Sequence, residues 1–155
     1  MNLPLDQELL GSAAREGDFA LERSRSIDAF AQLEYRVELA ARRLQIPVNR
    51  DCLGRRVAAL GKVKPCPALS KANAKKLVEW IARTELLLNQ RAALVHSTME
   101  LGIFGGEWRA SFANVVDRVS GQPTTMLFTL EQFRRLTTSV RAQQDELAEL
   151  VSGIC

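Results

Sequence analysis

The chain holds one histidine, His96, and an arginine, Arg91, stands five positions before it. An imidazole, with an ordinary pKa of about 6.5, gives and takes protons near neutral pH. An arginine guanidinium presents a planar fork of donors that suits phosphate, and it stabilises negative charge that grows on phosphate oxygens. These two residue types therefore predict acid–base chemistry at a phosphate, centred on the segment 91–97.

Other catalytic and metal-binding patterns find little support. Cys52, Cys66 and Cys155 form no Cys-x-x-Cys pair, and a zinc site usually takes four Cys and His ligands, so we expect no metal. The glycines between 102 and 106 lack the spacing of a phosphate-binding loop, so no nucleotide cofactor is expected. No Gly-x-Ser-x-Gly motif supports a serine nucleophile. A pairing of His96 with Cys52 or Cys66 stays open, because sequence does not show which residues meet in space.

Helical segments must position these residues. A weak helix is predicted over 5–20, broken by Gly11 and Gly17, and a stronger one over 26–44, where apolar residues recur at steps of three and four and Pro47 follows. A short helix is predicted over 51–60. The longest helix begins after Ser70, a good N-cap residue, and runs to about residue 99, where glycines are expected to end it.

The pattern changes after this helix. Residues 108–116 alternate in polarity as a half-buried strand does, and 124–128 supply a returning strand after turn residues at 120–123. Thr129 and Gln132 have the spacing of a capping box, which predicts a closing helix. The sequence predicts one all-α domain over 1–155: a bundle of about four to five helices, with a small β-hairpin inserted before the last helix.

Taken together, these features resemble the HEPN superfamily, whose signature is Arg-x(4–6)-His. The resemblance spans roughly residues 26–152. It includes Leu33-Glu34-Tyr35-Arg36 in the leading helix, the Leu-Val-His-Ser ending at 94–97, the hairpin and the closing helix from Thr129. It implies either a metal-independent endoribonuclease of the toxin or defence type, or a non-catalytic RNA-binding relative. It also implies a homodimer, and for a toxin an antitoxin or operon partner.

In the catalytic form of this resemblance, His96 is the general acid or base and Arg91 binds the phosphate that the RNA 2′-hydroxyl attacks. The candidate substrate-binding residues are Tyr35, Arg36, Asn89, Gln90 and Ser97. Ala92 departs from the family pattern, which usually has a polar residue there. A five-residue step rotates about 140° around a regular helix, so Arg91 and His96 do not share a face, and dimerisation is the expected remedy.

Structural roles compete with these functional ones. His96 could stabilise a helix end, and Arg91 could form an ion pair with Glu79, Glu85 or an acidic partner helix. Two further classes stay open: a non-catalytic dimeric interaction module, and a helical regulator that binds nucleic acid through a helix-turn-helix near Pro47. The net charge of +3 is too small to indicate a partner. The segment 36–64, however, carries eight basic and two acidic residues, which a nucleic-acid-binding protein would use.

Neither end of the sequence nor its middle suggests a membrane protein. No apolar run approaches the roughly 20 residues that a spanning helix needs. The N-terminal residues lack the basic and apolar stretches of a secretion signal. We therefore expect a cytoplasmic protein with no membrane partner.

Overall fold

Four helices and one antiparallel sheet make up the fold. The structure, a computed structural model, describes residues 4–47, 52–67, 69–117 and 120–152, with side chains in the first helix described from residue 15 onwards. In chain order the elements are α1 (Pro4–Arg43), α2 (Leu53–Leu60), α3 (Lys71–His96), β1 (Met99–Phe104), β2 (Glu107–Val116), β3 (Pro123–Phe128) and α4 (Leu130–Ser152). The mostly helical fold with a small β insertion before the last helix is confirmed.

Helix α1 corrects the expectation of two separate N-terminal helices. It is continuous across Gly11 and Gly17 and ends at Arg43, where Gln45 takes a positive φ of 55°. A helical glycine costs only about 1 kcal/mol relative to alanine. The buried face that follows, from Phe19 through Leu33 to Val37, packs on the rest of the protein and outweighs that cost.

Helix α3 begins where the sequence predicts and ends earlier. The Ser70 hydroxyl accepts a hydrogen bond from the Asn73 amide at 3.1 Å, which confirms the N-cap. The helix stops at His96, because Ser97 is extended with φ −110° and ψ 148°. The expectation that it runs to about residue 99 and ends at glycines is wrong, since those glycines belong to the sheet and its turn.

The β insertion is a three-stranded sheet of order β1-β2-β3, not a hairpin. Residues 99–104 pair with 107–112 through a two-residue turn, Gly105-Gly106, whose φ values of 62° and 83° are both positive. That pattern matches the right-handed twist of a hairpin and favours glycine. The missed strand is β1, and the predicted strands at 108–116 and 124–128 are confirmed as parts of β2 and β3.

The core lies between α1, α4, α3 and the sheet. Contacts pair Phe19 with Phe133, Ser26 with Thr137 and Arg43 with Val151, so α1 and α4 run parallel.

The capping box of α4 is present: the Gln132 amide donates to the Thr129 hydroxyl at 3.1 Å, and the Thr129 amide donates to the Gln132 side chain at 2.8 Å. Across the described residues, no helix is long and apolar enough to cross a membrane.

Candidate functional site

Arg91 points from α3 towards α1. Its guanidinium lies 3.4 Å from the Glu34 carboxylate, and the Arg91 side chain is only 26% exposed. Glu34 also faces Arg56 of α2 at 3.7 Å. Arg91 therefore forms an ion pair with an acidic residue of a neighbouring helix, as expected if its role is structural. This pair connects α3 to the corner between α1 and α2. Glu79 and Glu85 are not its partners among the described contacts.

His96 is exposed in the last turn of α3 and lies on a different side of the helix from Arg91. It closes a stripe whose members follow one another at alternating steps of four and three residues, the spacing of one helix face. This outer stripe consists of Val78, Ala82, Glu85, Asn89, Ala92 and His96. Arg91 is not part of it, so one chain alone does not bring the two candidate catalytic groups together.

The end of α3 that carries His96 is held by Arg23 of α1. The Arg23 guanidinium donates to the Leu94 carbonyl at 3.0 and 2.6 Å and to the Ser97 carbonyl at 3.1 Å. It also lies 5.5 Å from the centre of the Phe112 ring. The last carbonyls of a helix have no partner within the helix and carry partial negative charge, so a cation here is favourable. Arg23 therefore fixes the position of His96 without touching it.

The remaining predicted residues are divided among several surfaces. The Asn89 side chain donates to the Asp117 carboxylate at 3.1 Å, beyond the end of β2. Asn89 and Gln90 both line a groove of about 560 Å³ between α3, β3 and α4, so Asn89 lies where the outer stripe meets this groove. Ser97 is half-buried, with its carbonyl occupied by Arg23. The candidates on α3 therefore belong to two neighbouring surfaces, the outer stripe and this groove.

The two candidates on α1 lie elsewhere. Arg36 lines a small cleft against Leu147 and Val151 of α4. Tyr35 is 60% exposed and contacts solvent. The structure therefore gives Arg36 a place beside α4 and leaves Tyr35 free to act as a stacking residue.

In the described part of the segment 36–64, acidic side chains of α1 offset some of the positive charge. Arg56 lies between Glu34 and Glu38, at 3.7 and 3.6 Å, and Arg42 pairs with Glu38. Nine residues, 44–52, separate α1 from α2. A helix-turn-helix joins its helices by three or four residues, so this corner lacks that geometry. The connection between α1 and α2 is therefore longer than that of a compact helix-turn-helix.

The large aromatic side chains are used for packing, and two of the cysteines are exposed. Trp80 is fully buried and its indole N–H donates to the Gln143 carbonyl at 2.8 Å, Phe112 is fully buried, and Trp108 packs partly buried against the core. Cys52 and Cys66 are exposed free thiols, whereas Cys155 lies outside the described residues. In the part of the chain that the structure describes, no three His, Cys, Asp or Glu side chains are grouped to hold a metal ion.

Sequence reasoning missed the contacts that organise this end of the molecule. Arg23 and Leu94 are 71 positions apart, and Glu34 and Arg91 are 57 apart. No local spacing indicates such pairs. Comparison with known proteins finds no matching family model, no similar curated protein and no similar solved structure. The resemblance to HEPN domains therefore depends on the residues of this chain alone.

Proposed function

We propose that this protein is a non-catalytic, self-associating interaction module of the HEPN-like type. The observation that carries the proposal is the ion pair of Arg91 with Glu34, which occupies the cation that a catalytic site would need for phosphate. Catalysis needs a phosphate-binding cation beside the acid or base. Ala92 stands on the stripe one turn before His96, where the family pattern usually has a polar side chain, and it offers no side-chain hydrogen bond.

The outer stripe is the surface through which two copies pack in this proposal. Val78 is 59% exposed, and two alanines, Ala82 and Ala92, leave room for a second helix to approach closely. Only Glu85 and His96 carry titratable groups on it. The four-three spacing on a 26-residue helix is that of a seam by which helices pair, and three of its six residues, Val78, Ala82 and Ala92, are small or apolar.

The test is the oligomeric state of the purified chain by light scattering after size-exclusion chromatography. Ala82→Arg places a long cation in the middle of the stripe, so we expect a dimeric wild type and a monomeric variant. Ala31→Arg is the matched control, because Ala31 is an exposed alanine of α1, away from the stripe. It should remain dimeric. A monomeric wild type, or a dimer that survives Ala82→Arg, would contradict the proposal.

A metal-independent endoribonuclease is the second candidate, favoured by one observation. His96 is exposed, and the contact of Arg91 with Glu34 is long at 3.4 Å, so the guanidinium is loosely held. In this form RNA is the substrate, and dimerisation brings the arginine and the histidine together in one site. Cleavage of total RNA in EDTA by wild type, lost in both His96→Ala and Arg91→Ala, would establish it. No cleavage by a folded dimer favours the interaction module.

A further inference from the structure

A polar cleft lies between α1 and α4, separate from the outer stripe and from the Arg91–Glu34 pair. It has a volume of about 360 Å³ and is lined by Glu22, Arg25, Arg134, Thr137, Thr138 and Arg141. Helix α3 contacts a different side of α4, through Gln143 and Glu146. The cleft is therefore open on a face that neither proposed activity uses.

A buried carboxylate organises the arginines of this cleft. The Glu22 side chain is only 7% exposed, and it accepts one hydrogen bond from Arg25 at 2.9 Å and one from Arg134 at 3.4 Å. The floor behind it is fixed by small polar contacts: the Ser26 hydroxyl donates to the Glu22 carbonyl at 3.0 Å and lies 2.9 Å from the Thr137 hydroxyl. Because the Ser26 proton is used in this way, Thr137 is the donor of the second bond. Arg25 and Arg134 are thus oriented in advance of any ligand.

The arginines of the cleft have more N–H donors than their contact with Glu22 satisfies, and more positive charge than it neutralises. Each guanidinium has five N–H donors, and Glu22 takes one from each of two arginines. Within the described residues, Arg141 has no hydrogen bond or ion pair. Three guanidinium groups and one carboxylate leave a charge of +2. A phosphate monoester carries about −1.5 to −2 at pH 7, so it would neutralise this excess.

We propose that the cleft between α1 and α4 binds a small phosphate monoester of the sugar-phosphate class, with Arg141 as its main contact. Its volume is within the range of about 300 to 1,000 Å³ that small-molecule sites occupy. Among the described residues no aromatic or aliphatic side chain lines it, so these residues offer nothing on which a nucleobase could stack. A compact, hydroxyl-rich group beside the phosphate fits a lining made of arginines, threonines and a glutamate.

The experiment is calorimetric titration of the full chain at low ionic strength with ribose 5-phosphate, ribose and inorganic phosphate. We expect ribose 5-phosphate to bind and ribose to give no signal. Arg141→Gln should weaken ribose 5-phosphate binding by about tenfold, because a charged hydrogen bond is lost. Arg135→Gln is the matched control, since Arg135 is exposed on another side of α4 and pairs with Glu131. It should bind as the wild type does.

The opposite results are equally clear. No binding of ribose 5-phosphate at millimolar concentration, or equal losses in Arg141→Gln and Arg135→Gln, would overturn the site. Inorganic phosphate that binds as tightly as ribose 5-phosphate would overturn the sugar part of the assignment. Arg141 is exposed, so Arg141→Gln should keep its fold, and circular dichroism of both variants verifies this. Oligomeric state plays no part in this measurement, so it is independent of the proposed function.

Discussion

Replacing Arg23 by methionine should destabilise the protein strongly although the side chain is not in the core. Methionine keeps much of the apolar stem but removes all donors to the carbonyls of Leu94 and Ser97. A hydrogen bond to a charged group contributes about 1.5 to 3 kcal/mol. Counting one such interaction for each carbonyl, at the low end because the site is partly exposed, gives a loss of about 3 kcal/mol. The contact with the Phe112 ring adds roughly 0.5 kcal/mol.

Urea unfolding, followed by circular dichroism, measures this loss. With a slope of about 2 kcal/mol per molar urea, the combined loss should lower the midpoint by about 1.7 M. Arg23→Lys keeps the charge but can reach only one of the two carbonyls, so about half of the loss is expected. Arg135→Met serves as the surface control and should change the free energy of unfolding by less than about 0.5 kcal/mol. A midpoint that moves by under about 0.5 M in Arg23→Met would refute the assignment of a structural cap.

Three further substitutions test other contacts. Trp80→Phe removes the buried N–H that Gln143 accepts and should cost about 2 kcal/mol in urea unfolding; an unchanged midpoint would show that the bond contributes nothing. Thr129→Ala breaks the capping box and should lower the free energy of unfolding by about 1 kcal/mol, seen as a drop of about 3 °C in Tm. Arg91→Ala removes a partly exposed, long ion pair and should cost under about 1 kcal/mol; a larger loss would mean that the pair is a main structural contact.

Local patterns predicted most of the elements, and the errors have physical causes. Ser70 and the Thr129–Gln132 pair were readable because a cap is made by residues three apart. Strand β1 was missed because Gly102, Gly105 and Gly106 have the composition of a helix end. A strand also forms only with the neighbouring strand to which it is hydrogen-bonded. The pairing of Met99 with Phe112 involves residues 13 positions apart, so it does not follow from a short stretch of sequence.

The candidate site was predictable only in part. Helical periodicity alone separates Arg91 from His96 by about 140°, and the structure has them on different sides of α3. Two long-range contacts were not predictable, since Glu34, which pairs with Arg91, and Arg23, which holds the turn that carries His96, both come from another helix. The cleft between α1 and α4 is the extreme case, because Arg25 and Arg141 give no signal in sequence that they share a surface.

Among the described elements, α1 is made first and packs on α4, which is made last. Ser26 and Thr137 are 111 residues apart. At a synthesis rate of 5 to 20 residues per second, α1 emerges roughly 6 to 22 s before its partner helix exists. During that interval its apolar face, including Phe30 and Leu33, has no α4 to cover it. Nascent chains of this protein are therefore expected to be substrates for chaperones that bind exposed apolar segments, and completion of α4 is the step that releases them.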